Sequence, residues 1–324
     1  MKKLAILTAL TALAGCGGQT QGPQTSFSLA TSVRSTPWNT AFGNGVALET
    51  AHYRIYSTAN RQDLLRSLPP FMEACFQQYS ELTDLAAPAI GKPLPVYMLG
   101  SRSQWAQLTR STVRENVDLY LKIQAGGYCY RGVCVFWDIG GVGTYSLAAH
   151  EGLHQFLGAV VRQRLPSWLE EGLATVAEGC DVTRDAVVFT PHRNVTRFTH
   201  LRDAIVNGHW IGTERLLSMD AGDAIAKPEE APAGYYGQLW ALVLYIRSNP
   251  AYRAGLARLV ADAQADRMHQ AIGATPQELA QWLAGGREYN RKISRPLFEH
   301  YITRDLAAFD KGYLAFARKL AKLE

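Results

Sequence analysis

His150-Glu151-Gly152-Leu153-His154 sets two imidazoles four residues apart, with a carboxylate beside the first. On a helix such a pair projects from one face and can grip one divalent cation. The glutamate lies one position round, within reach of a water on that cation. Trp168-Leu169-Glu170-Glu171-Gly172 follows and offers a third ligand. Three protein ligands with a fourth position open are what a hydrolytic zinc site requires. In a chain of 324 residues with 8 histidines, the HExxH string arises by chance about one time in a hundred, so its surroundings decide its meaning. The plain alternative is a buried helix with two polar core histidines, but two imidazoles and a carboxylate on one turn need partners to be buried.

Two helices meeting at a corner must position these residues. Ser146 to Gln163 reads as the first, with Leu147, Leu153, Phe156, Leu157 and Val160 at helical spacing and Thr144 or Ser146 to cap its start. Gly152 and Gly158 each weaken that helix by up to about 1 kcal/mol relative to alanine, which is tolerable where another element packs closely. Pro166 suits the first turn of a second helix running to Ala177, and Leu165 before it is pushed out of helical geometry. The corner folds the second helix back towards the histidines, with Trp168, Leu169, Leu173 and Val176 as its apolar face. Glu170 and Glu171 differ by about 100° on that helix. Only one can point at the metal, and the residues alone leave open which.

HExxH, a short connection and W-L-x-E-G-L-A resemble the gluzincin metallopeptidases, the superfamily that includes thermolysin and the aminopeptidase N type. The likeness is greatest to the peptidase-MA-like domains of bacterial lipoproteins. It takes in His52 to Ser57, Leu94 to Leu99 and Tyr236 to Ala241 in the order such proteins show, and covers roughly residues 49 to 250. The resemblance implies one Zn2+ per chain on His150, His154 and Glu171, the glutamate immediately before the glycine. The stretch from His154 to Glu171 is slightly shorter than in the aminopeptidase N type, which keeps Glu170 as the second candidate. It further implies that Glu151 takes a proton from a metal-activated water and passes it to the leaving amine. Similar enzymes stabilise the oxyanion with a Tyr or His from a later helix. Tyr236 is the choice here, with Tyr235 and His209 as rivals, against ordinary packing for one tyrosine among 15. Glu178 and Asp138 are candidates to orient the histidines, or else plain solvated carboxylates.

Ala125 to Asp138 reads as a hairpin turning near Arg131-Gly132. By resemblance, Val133 to Trp137 is an edge strand along which an extended peptide substrate adds; its apolar residues fit an internal strand equally well. The pattern as a whole is α+β, and the resemblance makes it thermolysin-like. A mixed sheet with helices precedes the HExxH helix (about 49–163), and a mainly helical lobe follows it (about 164–324). Strands are expected at 52–58, 94–99, 121–129 and 133–138. Helices are expected at 61–84 and 102–110, then at 199–207, 213–218, 235–248, 250–265, 276–283 and 295–322, with the cleft between the lobes.

The N-terminus carries a second signal. Met1-Lys2-Lys3 is basic, Leu4 to Ala14 is apolar but too short to span a bilayer, and Leu13-Ala14-Gly15-Cys16 has the form of a bacterial lipobox. Residues 1–15 are thus expected to be a lipoprotein signal peptide, with Cys16 acylated and the protein exported and lipid-anchored to the cell envelope. Gly17, rather than Asp, favours the outer membrane in a diderm. An ordinary cleaved signal ending near Ala14 is the alternative. Residues 16–48, rich in Gly, Gln, Thr and Ser, fit a flexible tether ahead of a catalytic domain at 49–324. Export leaves Cys75, Cys129, Cys134 and Cys180, an even number for an oxidising compartment. Cys129 with Cys134 is a possible disulfide across the hairpin, leaving Cys75 with Cys180.

The net charge of +5 falls to +3 without Lys2 and Lys3, 31 basic against 28 acidic residues. No basic run with interleaved aromatics accompanies it, which argues against a nucleic-acid partner. The expected partners are a peptide or protein substrate and the membrane through the N-terminal lipid. A metal-binding pseudo-peptidase, a non-catalytic envelope lipoprotein and a zinc amidase acting on peptidoglycan share much of this pattern, because fold does not settle function.

Overall fold

Short runs with alternating apolar residues build the first half of the chain, and long apolar-faced helices build the second. The structure, a computed structural model, describes residues 24–41, 43–86, 90–124, 126–226, 232–284 and 287–323. In chain order the elements are β1 (Thr25–Ser28), β2 (Arg34–Thr40), β3 (Gly43–Glu49), β4 (Tyr53–Ser57), α1 (Gln62–Thr83), β5 (Leu94–Leu99), α2 (Arg102–Thr112), α3 (Val117–Tyr120), β6 (Gly127–Tyr130) and β7 (Val133–Trp137). The helices α4 (Gly141–Val160) and α5 (Ser167–Ala177), the strands β8 (Cys180–Val182) and β9 (Ala186–Phe189) and a 3-10 turn at Pro191–Arg193 follow. The rest is helical: α6 (Val195–Val206), α7 (Thr213–Ser218), α8 (Ala221–Ala226), α9 (Pro232–Ser248), α10 (Pro250–Gln264), α11 (Met268–Ala271), α12 (Pro276–Ala284), α13 (Arg287–Tyr301) and α14 (Leu306–Leu320). The class is α+β, as expected.

The main sheet has the order β2-β3-β4-β5-β7-β6. Strands β4, β5 and β7 run parallel, and the pairings β2–β3, β3–β4 and β6–β7 are antiparallel. Tyr53, Ile55, Val96, Met98 and Phe136 join Phe71, Phe76 and Tyr79 of α1 and Leu153 and Phe156 of α4 in one buried cluster. On the other face Trp105 of α2 donates its indole N–H to the Val135 carbonyl (3.2 Å) and packs with Leu99, Tyr128 and Trp137. The β6–β7 hairpin closes through Arg131 (φ 51°) and Gly132 (φ 78°), the paired positive φ of a two-residue primed turn. In the second half, Leu239, Trp240, Ala241, Leu242 and Val243 of α9 are all buried. An apolar circumference of this kind makes α9 the central post of the helical part, packed by α5, α6, α10 and α14.

Several expectations are corrected. The stretch read as a flexible tether is strand from Thr25 onward: β1 pairs with β9 in a second sheet of order β1-β9-β8, and β2 and β3 extend the main sheet. Most of β2 is exposed, so no apolar alternation marks it, and β1 is held chiefly by Phe27 edge-on to Phe189 at 5.8 Å. Residues 1–15, Cys16 and the rest of the tether up to residue 23 lie outside the described residues. The strand expected at 121–129 begins only at Gly127, because the Arg102 guanidinium holds the carbonyls of Leu121 and Ile123 in a turn after α3. Val133 to Trp137 is internal, and β6 is the terminal strand. The single helix expected at 295–322 is two, since Asp305 caps a new start by accepting from Ala308 N (2.9 Å). Among the described residues no helix is long and apolar enough to cross a membrane.

Candidate metal centre

Helix α4 starts on a built platform. The Thr144 hydroxyl accepts from Ile139 N and Gly140 N (both 3.1 Å) and donates to Asp138 (2.9 Å), whose carboxylate also meets the Arg61 guanidinium at 3.2 Å. Asp138 therefore fixes the helix start and does not orient a histidine, correcting that expectation. Gly140 and Gly141 have φ of 89° and 49°, the left-handed region in which glycine meets no steric penalty. Further along, Tyr79 of α1 donates to the Ala149 carbonyl (2.8 Å) beside Gly152. A Cβ at Gly152 would overlap the Tyr79 hydroxyl, so this glycine lets the two helices close up. Gly172 serves α5 likewise, because a Cβ there would stand 2.5 Å from Val243 Cγ2 of α9. Pro166 sits in extended geometry just ahead of α5 and turns the chain back towards α4.

The corner brings His150, His154 and Glu171 together in a group able to hold a metal ion. His150 Nε2 and His154 Nε2 are 3.2 Å apart, and Glu171 Oε2 lies 3.4 Å and 3.6 Å from them. Each outer ring nitrogen has a carboxylate: His150 Nδ1 meets Glu178 Oε1 at 2.8 Å, and His154 Nδ1 meets Glu170 Oε1 at 3.0 Å. With Nδ1–H donated outward, both Nε2 atoms face the same small space. Glu171 Oε2 faces it too, buried and without a hydrogen-bond partner among the described residues. Two imidazole nitrogens and a carboxylate oxygen converging on one point suit a cation, which would displace the proton that the two nitrogens now share. The choice between the two glutamates is thereby resolved: Glu171 points in, and Glu170 turns aside to hold His154.

Glu178 sits in a second ring of contacts. The Arg197 guanidinium donates Nε to its Oε2 (2.8 Å) and Nη2 to its Oε1 (2.5 Å), and Asn194 Nδ2 donates to Oε2 at 2.8 Å. Asn194 Oδ1 accepts from Arg197 N (3.1 Å) and so caps α6. Electrostatics follow the geometry. Burial alone would lower the His150 pKa, but Glu171 and Glu178 outweigh it and raise the value to about 9. His154 is likewise raised, with burial overcome by Glu171 and Glu170. Burial pushes Glu171 and Glu178 upward; the two histidines hold Glu171 well below the carboxylate range, and Arg197 with His150 holds Glu178 at about 2.

Glu151 is raised by burial, with the two histidines opposing. Its backbone carbonyl accepts from the Cys134 thiol at 3.1 Å, and its carboxylate has no hydrogen-bond partner among the described residues. On the sheet side lies Gly127 of β6, where a Cβ would clash with Phe136 Cβ (2.7 Å) and the Val135 carbonyl (2.9 Å) and would meet Glu151 Cγ at an ordinary 3.4 Å. Tyr236 of α9 is half-buried, its ring 6.4 Å from the His150 ring and 5.1 Å from Arg197 Cζ. Of its rivals, Tyr235 is fully buried with its hydroxyl directed at the Met219 carbonyl (3.4 Å), and His209 is exposed in the turn after α6.

Cys75, Cys129, Cys134 and Cys180 are all free thiols, so neither expected disulfide is formed. Cys129 and Cys134 do stand opposite one another in the β6–β7 register, but the Cys134 sulfur is engaged with the Glu151 carbonyl. Cys16 lies outside the described residues. The sequence reading missed Glu170 as a histidine partner, and Asn194 and Arg197 altogether. The Asn194 cap at the start of α6 was the one available signal. Set against known proteins, the chain matches no family model, no curated protein and no solved structure.

Proposed function

We propose that this protein is a zinc-dependent metallopeptidase of the gluzincin type, hydrolysing peptide bonds at the bacterial cell envelope. The observation that carries the reading is the triangle of His150 Nε2, His154 Nε2 and Glu171 Oε2, with sides of 3.2, 3.4 and 3.6 Å. Tetrahedral ligands at zinc bond lengths stand about 3.3 Å apart, so these atoms need little movement to take the ion. Two nitrogens and one carboxylate oxygen, each histidine backed by a carboxylate, form a donor set suited to catalytic zinc. When bound, zinc supplies a Lewis acid that brings the pKa of water towards neutrality and polarises a carbonyl.

The remaining chemistry falls to the chain's own residues. Glu151 takes a proton from the attacking water at its unpaired carboxylate and delivers it to the leaving nitrogen; burial makes it a stronger base than an exposed glutamate. Tyr236 directs its hydroxyl at the carbonyl oxygen as negative charge builds there. Glu170 and Glu178 keep both imidazoles in one tautomer and one orientation. The terminal strand β6 offers an extended peptide a backbone edge that passes Glu151 at Gly127. A mixed sheet ahead of the histidine helix and a helical half behind it agree with the gluzincin plan. Leu13-Ala14-Gly15-Cys16 supports attachment to the envelope by lipid.

The test is metal analysis of the full-length chain beside Glu151→Gln, with digestion of a peptide library. About one zinc per chain is expected, retained in Glu151→Gln while cleavage disappears. Cleavage that survives the substitution removes Glu151 from the reaction, and a chain that takes up no zinc overturns the proposal.

A further inference from the structure

We propose that Arg197 is a positioning residue for both halves of the chemistry, holding Glu178 against His150 with its fork and Tyr236 beside the same imidazole with its charge over the ring. The inference rests on His150, His154 and Glu171 being the metal ligands. Three observations place Arg197 there. Its fork engages both oxygens of Glu178, and Glu178 Oε1 also accepts from His150 Nδ1. Its Cζ lies over the Tyr236 ring at 5.1 Å, and that ring is 6.4 Å from the His150 ring. Its backbone N–H is held by Asn194 Oδ1, while Asn194 Nδ2 reaches Glu178 Oε2, so the start of α6 and the carboxylate are built as one unit.

The physical reason lies in what each contact fixes. A carboxylate gripped by a planar fork cannot rotate, so its remaining lone pair stays aimed at the imidazole N–H. His150 Nε2 then stays aimed at the metal position. A buried carboxylate without the fork would swing or take up water, and the imidazole would follow it. The positive charge of the same guanidinium, over the ring, attracts the electron-rich face of Tyr236 and limits where its hydroxyl can go. A residue that merely neutralised Glu178 would affect stability alone. One that positions two groups affects metal retention and turnover separately. Lysine keeps the charge and loses the fork, so it tells these roles apart.

The experiment uses full-length wild type, Arg197→Gln, Arg197→Lys and Tyr236→Phe, with folding checked by circular dichroism and zinc affinity measured by competition with a chromogenic chelator. Arg197→Gln is expected to weaken zinc binding about 10- to 100-fold, Arg197→Lys by a smaller factor, and Tyr236→Phe not at all. At saturating zinc, Arg197→Gln should lower kcat with little change in KM, and in the Tyr236→Phe background its effect on kcat should shrink. Zinc affinity equal to wild type in Arg197→Gln overturns the inference; should that variant not fold, equal affinity in Arg197→Lys does so. Wild type that binds no zinc overturns the ligand assignment and this inference together. Tight wild-type binding beside an unchanged Arg197 variant overturns this inference alone.

Discussion

Gly152→Ala should destabilise the protein although alanine is the better helix former. Inside α4 the exchange gains about 1 kcal/mol of helix propensity. Against this, the new Cβ overlaps the Tyr79 hydroxyl and stands 3.3 Å from Tyr79 Cζ and 3.1 Å from Met72 Cε. Met72 can flex away, but the Tyr79 ring cannot move without loosening its hydrogen bond to the Ala149 carbonyl. Overpacking of this kind costs about 1–3 kcal/mol, and the hydrogen bond about another 1 kcal/mol. The net expectation is a loss of about 1–3 kcal/mol, read as a lower urea midpoint for the chelator-treated protein. Gly158→Ala is the internal control. It lies on the same helix with nothing within 4 Å of its Cβ, so it should stabilise by about 0.5–1 kcal/mol. Adding Tyr79→Phe to Gly152→Ala should cost less than the two separate losses summed, because the clashing oxygen is gone. A Gly152→Ala protein as stabilised as Gly158→Ala would refute the claim that close approach of α1 holds the histidine helix.

Further expectations follow from the carboxylates and thiols. Glu171→Gln should abolish zinc uptake, while Glu170→Gln should weaken it about tenfold through His154; equal effects in a chelator competition would reverse the roles assigned to the two glutamates. Zinc binding must displace protons from His150, raised to about 9, and from His154, raised in the same direction. Affinity should therefore climb with pH through neutrality and level off above about 9, with proton release visible by calorimetry in buffers of different ionisation heat; a flat profile counts against the geometry. For the metal-free protein the sign is opposite. A histidine raised on folding stabilises fully below its unfolded value near about 6.5, and that contribution fades as pH rises through about 9, which urea midpoints at several pH values will show. Cys129 and Cys134 face each other one pair back from a two-residue turn, where cross-strand Cα atoms come within about 4.5 Å. Oxidised glutathione present during refolding, while the buried Cys134 thiol is still accessible, should close that bridge with the loss of two hydrogens by mass, and recovery of folded protein with both thiols free would contradict the register.

The two histidines were legible because helical periodicity puts positions 150 and 154 on one face, and Pro166 marks a corner after them; Glu171 as the third member came only from the resemblance. The support around these three was not legible. Which of Glu170 and Glu171 enters the site depends on how α5 rolls against α9, a matter of Gly172 meeting Val243 that no local pattern records. Arg197 lies 26 positions beyond Glu171, and only the return of α6 along α9 brings it to Glu178. The helices at 62–83 and 250–264 were read almost to their ends, since apolar spacing marks them. The histidine helix, however, begins at Gly141 and not near Ser146 and ends at Val160, and the helix expected from 295 begins at Arg287. The break at Asp305 was missed although Asp is a common cap. The strands at 25–49 escaped because their outer positions face solvent and their stability comes from partners distant in sequence. Asp138 was misread for a related reason: a carboxylate near the histidines in sequence serves the start of their helix instead.

The six-stranded sheet ends unequally. At one margin β2 carries Pro37, which lacks an N–H, and the ion-paired Arg34, both of which discourage a further strand from joining. At the other margin β6 has neither device, and its protection is its length of only four residues. A segment that did lengthen this sheet there, whether from a foreign chain or a second copy, would pair with Gly127–Tyr130, next to Glu151. On the proposed peptidase reading, association along this edge and binding of a peptide beside Glu151 draw on the same four residues, so a preparation that self-associates by this route should lose cleavage.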